Sequence, residues 1–359
     1  MQIFHCDHCQ NIVYIENDRC FACNSVLGFL PDVGTMSVLT KQGDGSFLAA
    51  AVAAGNRRYR LCQNDSSHGI CNWAVPVTDD HALCISCRLT QAIPNLSLAG
   101  NLQCWGRLEQ VKRRLLYNLM RLCLPIVSRE EDPLGGLAFE FLDDPAPGEP
   151  VVRTGHLSGV VTIHIAEASD EERERRRLNL REPYRTLLGH FRHEAGHYYW
   201  DRLIRDGGRL QSFRELFGDD TTDYLTALHQ HYQNGPPADW LSRHVTAYAS
   251  AHPLEDWAET WAHYFHIFHT LDTASSCGVQ LKPPRADDPH LDLAEQSPPL
   301  DWSNFDQLID NWIPLTYLLN SLTRSLGQND VYPFVLKPKA IEKLRYVHEC
   351  IAGFQQTGR

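Results

Sequence analysis

The pattern of apolar and polar positions along the chain changes near residue 98. Up to that point the sequence has short apolar runs separated by turn residues, and it lacks a long helical period. Between residues 104 and 123, apolar side chains recur every three or four positions, which predicts an amphipathic helix. They are Trp105, Leu108, Val111, Leu115, Leu119 and Leu122. We therefore predict a domain boundary near residue 98.

The pattern in the remainder of the chain predicts one strand followed by long helices. The β-branched run Gly159–Ile165 predicts the strand, and Pro183 fits the first turn of a helix that continues to about Arg205. A second helix is centred on Trp257 and ends near Thr270. Prolines predict loops at Asp143–Pro150 and Lys282–Leu300. The tail, Asp306–Ile351, is predicted to be mostly helical. The pattern predicts an α+β fold that is mostly helical with a small sheet.

Composition narrows the class of protein. The chain has 33 Lys plus Arg against 44 Asp plus Glu, a net charge of -11, which disfavours nucleic acid or an anionic membrane surface as the main partner. The longest apolar run, Phe47–Ala54, is far below the roughly 18 residues that span a bilayer. The start of the chain lacks the pattern of a signal peptide, so we expect a cytoplasmic protein. In that setting, 12 Cys and 18 His indicate metal sites.

Eight of the twelve cysteines lie before residue 88. Cys6-x2-Cys9 and Cys20-x2-Cys23 have the spacing of two knuckles that close on one structural zinc, whereas disulfides are disfavoured without export. A second set consists of Cys62, Cys71, Cys84 and Cys87. Its second pair keeps the CxxC spacing, whereas eight residues separate the cysteines of its first pair. His68 or His81 could replace a thiolate there, but four cysteines suffice and solvated histidines are the simpler interpretation. We predict zinc ribbons over residues 1–40 and 41–98.

The charge of the ribbons bears on what they bind. Through residue 110 there are seven Lys plus Arg and nine Asp plus Glu, so the basic surface of a nucleic-acid-binding finger is missing. We expect the ribbons to contact a protein, either the domain over residues 99–359 or a substrate or partner.

The segment His193-Glu-Ala-Gly-His197 places two histidines one helical turn apart. On a helix both imidazoles face the same side, where they can hold one metal ion, and Glu194 lies about 100 degrees away. That offset suits a general base acting on a metal-bound water. His190 shares the metal-facing side and is either a substrate contact or a hydrogen-bonded structural histidine.

A catalytic zinc needs a third protein ligand and an open position for water. We predict that Glu255 is this ligand, on a helix that faces the His193 helix with its polar side. The alternative is that Glu255 is an ordinary surface carboxylate. His263, one turn beyond Glu259, is a second candidate for the third ligand.

The segment around Glu255 carries a family resemblance. Glu255-x-x-x-Glu259 resembles the gluzincin metallopeptidases, and Tyr248–Glu259 is similar to the matching segment of anthrax lethal factor and the Mlc titration factor peptidases. The resemblance implies that Glu255 is a zinc ligand, that Glu259 orients a ligand histidine and that Tyr248 stabilises the oxyanion. A core tyrosine with a satisfied hydroxyl is the alternative for Tyr248.

The whole chain resembles a bacterial family of zinc-binding metallopeptidases with N-terminal zinc ribbons. The matching stretches are Arg185–Asp201, Ala247–Ser250, Glu255–Ala262 and Tyr332–Leu336. The resemblance implies hydrolysis of peptide bonds, with one catalytic and two structural Zn2+ per chain. Two alternatives stay open: a non-catalytic scaffold that retains the fold, and a DNA-associated protease. We also predict that the strand Gly159–Ile165 pairs with an extended peptide.

Overall fold

The computed structural model describes residues 2–143, 152, 154–180, 186–281 and 301–357. The chain divides into two compact units, one of residues 2–120 and 125–173, the other of residues 121–124 and 174–359. Small sheets and many helices confirm the predicted α+β fold. Pro183 and the segment Lys282–Leu300 lie outside the described residues, as does most of the predicted loop Asp143–Pro150.

The first unit begins with a small β-hairpin and a five-stranded antiparallel sheet. The hairpin pairs β1 (Phe4–His5) with β2 (Ile12–Val13). The sheet follows chain order: β3 (Leu27–Leu30), β4 (Thr35–Lys41), β5 (Phe47–Ala49), β6 (Arg58–Leu61) and β7 (Ala74–Pro76). An isolated bridge pairs Phe29 of β3 with Trp73, the residue before β7, and helix α1 (Gln63–His68) follows β6. The sheet crosses residue 40, so both cysteine-rich segments share it.

Apolar side chains from every part of this sheet meet on one side. Leu30 and Leu39 pack with Tyr59 and a set of small side chains, namely Ala49, Ala51, Ala54 and Ala74. The Tyr59 hydroxyl hydrogen-bonds to Asp32, with 2.9 Å to Oδ2, so its polar end is satisfied at the margin of the core.

A second sheet completes the first unit. It contains β8 (Thr90–Ala92), β9 (Ala138–Leu142), β10 (Gly155–Leu157) and β11 (Val160–His164) in the order β10-β11-β9-β8, beside helix α2 (Asn101–Arg121). The predicted strand Gly159–Ile165 is confirmed as β11. However, β11 is paired to β10 on one side and to β9 on the other, so the prediction that it accepts a peptide strand is wrong.

The second unit is helical. Its helices are α3 (Asp170–Leu180, which starts in the first unit), α4 (Leu187–Trp200), α5 (Leu210–Phe217), α6 (Tyr224–Asn234), α7 (Trp240–Arg243), α8 (Pro253–Ser276), α9 (Phe305–Ser325) and α10 (Pro338–Thr357). A π-helical segment, Asp201–Arg205, continues α4 to the predicted end, and α8 extends past Thr270. Within the described parts of the chain, no helix is both long and apolar enough to cross a membrane.

Helices α4 and α8 approach each other closely at Gly196. A Cβ atom at this position would lie 3.0 Å from the Cα atom of Ala258 and 3.1 Å from Trp261 Cδ1. The Trp257 indole donates a hydrogen bond of 2.8 Å to the Gly196 carbonyl, and the Tyr199 and Trp261 rings stack at 4.8 Å. The glycine inside the two-histidine motif therefore lets the helices meet, with aromatic side chains on one side of the contact and polar ones on the other.

The four isolated cysteines follow no common pattern of burial. Cys350 is buried and Cys104 is half-buried, but Cys123 and Cys277 are exposed. Because these four cysteines have no partner at a metal-ligand spacing, the sequence predicts that they are buried thiols. This prediction is wrong for Cys123 and Cys277. Both lie at helix ends, where the apolar period that buries a side chain has stopped.

Candidate metal centres and active site

The first cysteine cluster lies at the tip of the β1–β2 hairpin and the turn that follows. Cys6 Sγ is 3.6 Å from Cys23 Sγ, and Cys9 Sγ is 3.6 Å from Cys20 Sγ. Sulfur atoms about 2.3 Å from one tetrahedral zinc are about 3.8 Å apart, so the four thiols fit the ion. The residue after each knuckle has a positive φ of 60°, and its N–H donates back to the first cysteine of the knuckle.

The second cluster is more deeply enclosed. Cys71 Sγ is 3.7 Å from both Cys84 Sγ and Cys87 Sγ, and all four cysteines, Cys62 included, are buried. Backbone N–H groups point at the sulfurs: Cys84 N–H donates to Cys62 Sγ at 3.3 Å. His68 and His81 are exposed, and neither belongs to the cluster found among the described residues. The geometry fits a closed zinc site with four thiolate ligands.

The third cluster contains His193, His197 and Glu255 and joins α4 to α8. Thr186 caps α4 by accepting a hydrogen bond of 3.0 Å from Gly189 N–H. Further along the same helix, His193 and His197 lie one turn apart. Glu255 stands in the first turn of α8, where the helix dipole favours a carboxylate.

The ligand atoms of this cluster converge. His193 Nε2 is 3.0 Å from Glu255 Oε2, and His197 Nε2 is 3.6 Å from Glu255 Oε1. Two atoms about 2.1 Å from one zinc ion lie about 3.4 Å apart, so the three residues fit the metal. Because Glu255 is only 1 % exposed, the alternative of a surface carboxylate is excluded.

Charge in the cluster is balanced between imidazoles and carboxylates. Burial alone would lower the pKa of His193, but Glu255 and Glu259 outweigh it and raise this pKa well above its usual value. Burial opposes ionisation of Glu255, yet His197 and His193 hold its pKa far below the usual range. The carboxylates of Glu255 and Glu259 therefore balance positive charge at this cluster.

Glu194 lies beside the cluster and is not one of its ligands. Its side chain is buried, and Oε1 is 3.2 Å from His190 Nε2. Burial would raise the pKa of Glu194, but the hydrogen bond from His190 and the charges of His193 and His197 lower it. The carboxylate is thus available to take up a proton, and His190 has a definite partner.

Glu259 and Tyr248 approach His193 from two sides. Glu259 Oε1 accepts a hydrogen bond of 2.6 Å from His193 Nδ1, and its other oxygen accepts one of 2.7 Å from Thr246. This leaves His193 Nε2 directed at Glu255. Tyr248 begins a short 3-10 turn, with its ring centroid 6.0 Å from that of His193. Burial raises the pKa of Tyr248 well above its usual value, so the hydroxyl stays a donor.

Comparisons with known proteins agree with this chemistry. A family model described as "Putative zinc-binding metallo-peptidase" matches residues 101–350. The chain belongs to this metallo-peptidase family. A zinc-ribbon domain model matches residues 3–98. Proteins described as uncharacterized, from Mycobacterium bovis and two strains of Mycobacterium tuberculosis, are 43% identical over 352 residues, covering 98% of this chain and 95% of each relative. No solved structure matches the chain.

Around the cluster of His193, His197 and Glu255 lie residues that the sequence did not single out. Tyr224 donates a hydrogen bond of 2.5 Å to Glu255 Oε1, Thr246 holds Glu259, and the His231 ring lies 6.0 Å from the Tyr248 ring. Thr246 is two residues before Tyr248 and could have been found by its neighbourhood. Tyr224 and His231 come from a separate helix, and no spacing connects them to Glu255.

His263 belongs to the packing behind the centre and not to the ligand cluster. Its Nδ1 is 2.7 Å from the Tyr332 hydroxyl, and its ring lies 4.4 Å from that of Phe334. The C-terminal stretch Tyr332–Leu336 thus packs against α8 through its aromatic residues. Burial lowers the pKa of His263 to about 4, which keeps the imidazole neutral.

Proposed function

We propose that the protein is a zinc-dependent peptidase of the gluzincin type, with Zn2+ held by His193, His197 and Glu255. The observation that carries this proposal is the convergence of these three ligands beside a buried carboxylate, Glu194, that is not a ligand. Zinc bound there would supply Lewis acidity that activates water toward a peptide carbonyl. Peptide or protein substrates are what membership of a peptidase family implies.

The residues of the chain supply the remaining steps. Glu194 takes the proton of the attacking water and later delivers it to the leaving amine, which general acid-base catalysis requires of one carboxylate. The Tyr248 hydroxyl donates to the developing oxyanion. Glu259 fixes the tautomer of His193 through Nδ1, so that Nε2 faces the metal.

For the ribbons we propose two structural Zn2+, which makes three per chain. Cys6, Cys9, Cys20 and Cys23 would hold one ion, and Cys62, Cys71, Cys84 and Cys87 the other. We propose that the ribbons over residues 1–40 and 41–98 contact a protein substrate or partner of the domain over residues 99–359. Thiols gathered as metal ligands suit a reducing compartment such as the cytoplasm.

The test is terminal-amine profiling of cell proteins after treatment with the wild type or with Glu194→Gln. The variant keeps the three ligands, so it should retain its metal and lose about 10²- to 10⁴-fold in cleavage rate. Glu215→Gln, an exposed change on α5, is the matched control and should cleave like the wild type. An identical cleavage pattern from the wild type and Glu194→Gln contradicts the proposed function. It would favour a scaffold that retains the fold.

A further inference from the structure

Helix α6 is unusual because it lies on the surface yet reaches the metal cluster. None of the residues Tyr224–Asn234, all of which the structure describes, is buried. The helix begins at Asp223, whose carboxylate caps it by accepting a hydrogen bond of 2.8 Å from Thr226 N–H. Its first residue, Tyr224, nevertheless places its hydroxyl 2.5 Å from Oε1 of the buried Glu255. An exposed helix therefore delivers one polar atom to the centre.

The position of Tyr224 is fixed by the same residue that starts α8. His252 caps α8, with Nδ1 accepting from Leu254 N–H at 3.1 Å, and its Nε2 lies 3.0 Å from the Thr222 carbonyl just before α6. The Tyr224 and His252 rings meet edge to face at 5.2 Å. His252 thus ties together the chain segments that carry Tyr224 and Glu255, since Tyr224 lies two residues after Thr222 and Glu255 lies one residue after Leu254.

The two carboxylate oxygens of Glu255 have different surroundings. Oε2 is 3.0 Å from His193 Nε2, whereas Oε1 is 3.6 Å from His197 Nε2 and accepts the Tyr224 hydrogen bond. A carboxylate with both oxygens free can bind a metal through either or both, while a strong donor on one oxygen reduces its tendency to coordinate. A carboxylate oxygen can only accept, so the Tyr224 hydroxyl is the donor of this hydrogen bond.

We propose that Tyr224 is a positioning residue that occupies Glu255 Oε1 and leaves Oε2 as the single carboxylate donor to the catalytic metal. The proposal rests on the proposed ligand set. Its consequence is a centre with three protein donor atoms, which preserves the open position that a hydrolytic zinc site needs. Without the Tyr224 hydroxyl, Glu255 would offer both oxygens and the metal would gain a donor atom at the expense of that position.

Cobalt provides a readout that does not depend on turnover. In the full-length protein, the metal of the open centre is removed with a chelator and replaced by Co2+, with zinc left in the cysteine sites. The visible absorption of Co2+ weakens when its coordination number rises above four. Tyr224→Phe should therefore give a weaker and shifted visible band than the wild type, and metal affinity should change by about 10- to 100-fold.

Tyr232→Phe is the matched control, because it removes a hydroxyl from the same helix at a residue that is 61% exposed. It should leave the cobalt spectrum and affinity unchanged. A Tyr224→Phe spectrum and affinity equal to those of the wild type overturn the proposal, and so does an equal change in both variants.

If Tyr224→Phe unfolds, 3-fluorotyrosine at position 224 keeps the ring and makes the hydroxyl a stronger donor. The visible band should then be at least as strong as in the wild type, and a weaker band overturns the proposal.

The failure of this proposal is distinguishable from failure of the proposed function. Unchanged cleavage by Glu194→Gln would contradict the peptidase mechanism while leaving the cobalt result intact. An altered spectrum in Tyr224→Phe would support the role of Tyr224 whether or not a substrate is known. A wild-type protein that binds no Co2+ outside the cysteine clusters would contradict the metal centre, and the role of Tyr224 with it.

Discussion

The second cysteine cluster and the His193–Glu255 cluster are two ways of arranging buried metal ligands. In the first, four buried thiols point at one another and backbone N–H groups bond to the sulfurs, so every position around an ion is filled. In the second, three ligands come from two helices, and Glu194 and Tyr248 lie next to them. A site that only stabilises a fold is closed by its ligands, whereas a site for chemistry leaves room between its ligands and other reactive groups.

The two arrangements also depend on different parts of the fold. A zinc site closed by four thiolates rarely exists in the unfolded chain, so the metal contributes directly to folding. The histidine site is built on α4 and α8, which pack on each other through Gly196, Trp257 and Trp261, none of which is a ligand. We therefore expect metal loss to unfold one region and only to inactivate the other.

The largest expected effect is that of Cys84→Ser, which removes a fully enclosed ligand. A structural zinc supplies on the order of 10 kcal/mol toward the folding of so small a module. The variant should lose one zinc equivalent, and amide protons of the ribbon sheet should lose their protection from hydrogen exchange. Cys277→Ser changes an exposed cysteine and should match the wild type in both measurements. Full protection of the sheet in Cys84→Ser would remove the distinction between the two kinds of site.

The sequence predicts the cysteine clusters better than it predicts the surroundings of the His193–Glu255 cluster. A CxxC turn is local, because two ligands three residues apart must point to the same side, as Cys6 and Cys9 do. His193 and His197 are equally local on one helix. Glu255 required a second helix and a family resemblance, and its burial confirms the facing arrangement of α4 and α8.

What the sequence could not predict depends on tertiary contacts. Tyr224 reaches Glu255 from a helix of ordinary composition, and its place is set by contacts between His252 and the residues before α6. The prediction that the strand Gly159–Ile165 pairs with a peptide was wrong for a related reason. The β-branched pattern identifies a strand but does not encode the order of strands in the sheet. Periodicity identifies an element, but the neighbours of that element come from packing.

Glu259→Gln should have the next largest effect and bears on the open site alone. Glutamine keeps a hydrogen-bond acceptor for His193 Nδ1 but loses the charge that favours it, so metal affinity or activity should fall about 10- to 100-fold. Thr246→Val removes only the hydrogen bond to the far oxygen of Glu259 and should have a smaller effect in the same direction. Competition with a chelating dye measures the affinity. Equal affinities in the wild type and Glu259→Gln would show that the metal, and not Glu259, orients His193.

The smallest effect concerns the packing behind the open site and its response to acid. Burial lowers the pKa of His263 to about 4, with Glu259 raising it and His193 lowering it further, against about 6.5 in an unfolded chain. The unfolded state therefore takes up the proton first as the pH falls. The contribution of His263 to stability is fully present above pH 6.5 and is lost progressively between pH 6.5 and 4. At pH 5 the loss is about 2 kcal/mol.

His263→Gln removes this titration while keeping a partner for the Tyr332 hydroxyl. Urea unfolding of the helical unit at pH 7.5 and pH 5, after the open-site metal has been removed, should show a smaller loss of stability in the variant than in the wild type, by about 2 kcal/mol. His229→Gln, an exposed change on α6, should lose as much as the wild type. Acid also protonates the thiols of the ribbons, but that loss is common to all three proteins and cancels from the difference. Equal losses in His263→Gln and the wild type would mean that water reaches His263 in the folded state. The interior behind α4 and α8 would then be more hydrated than the burial of His263 indicates.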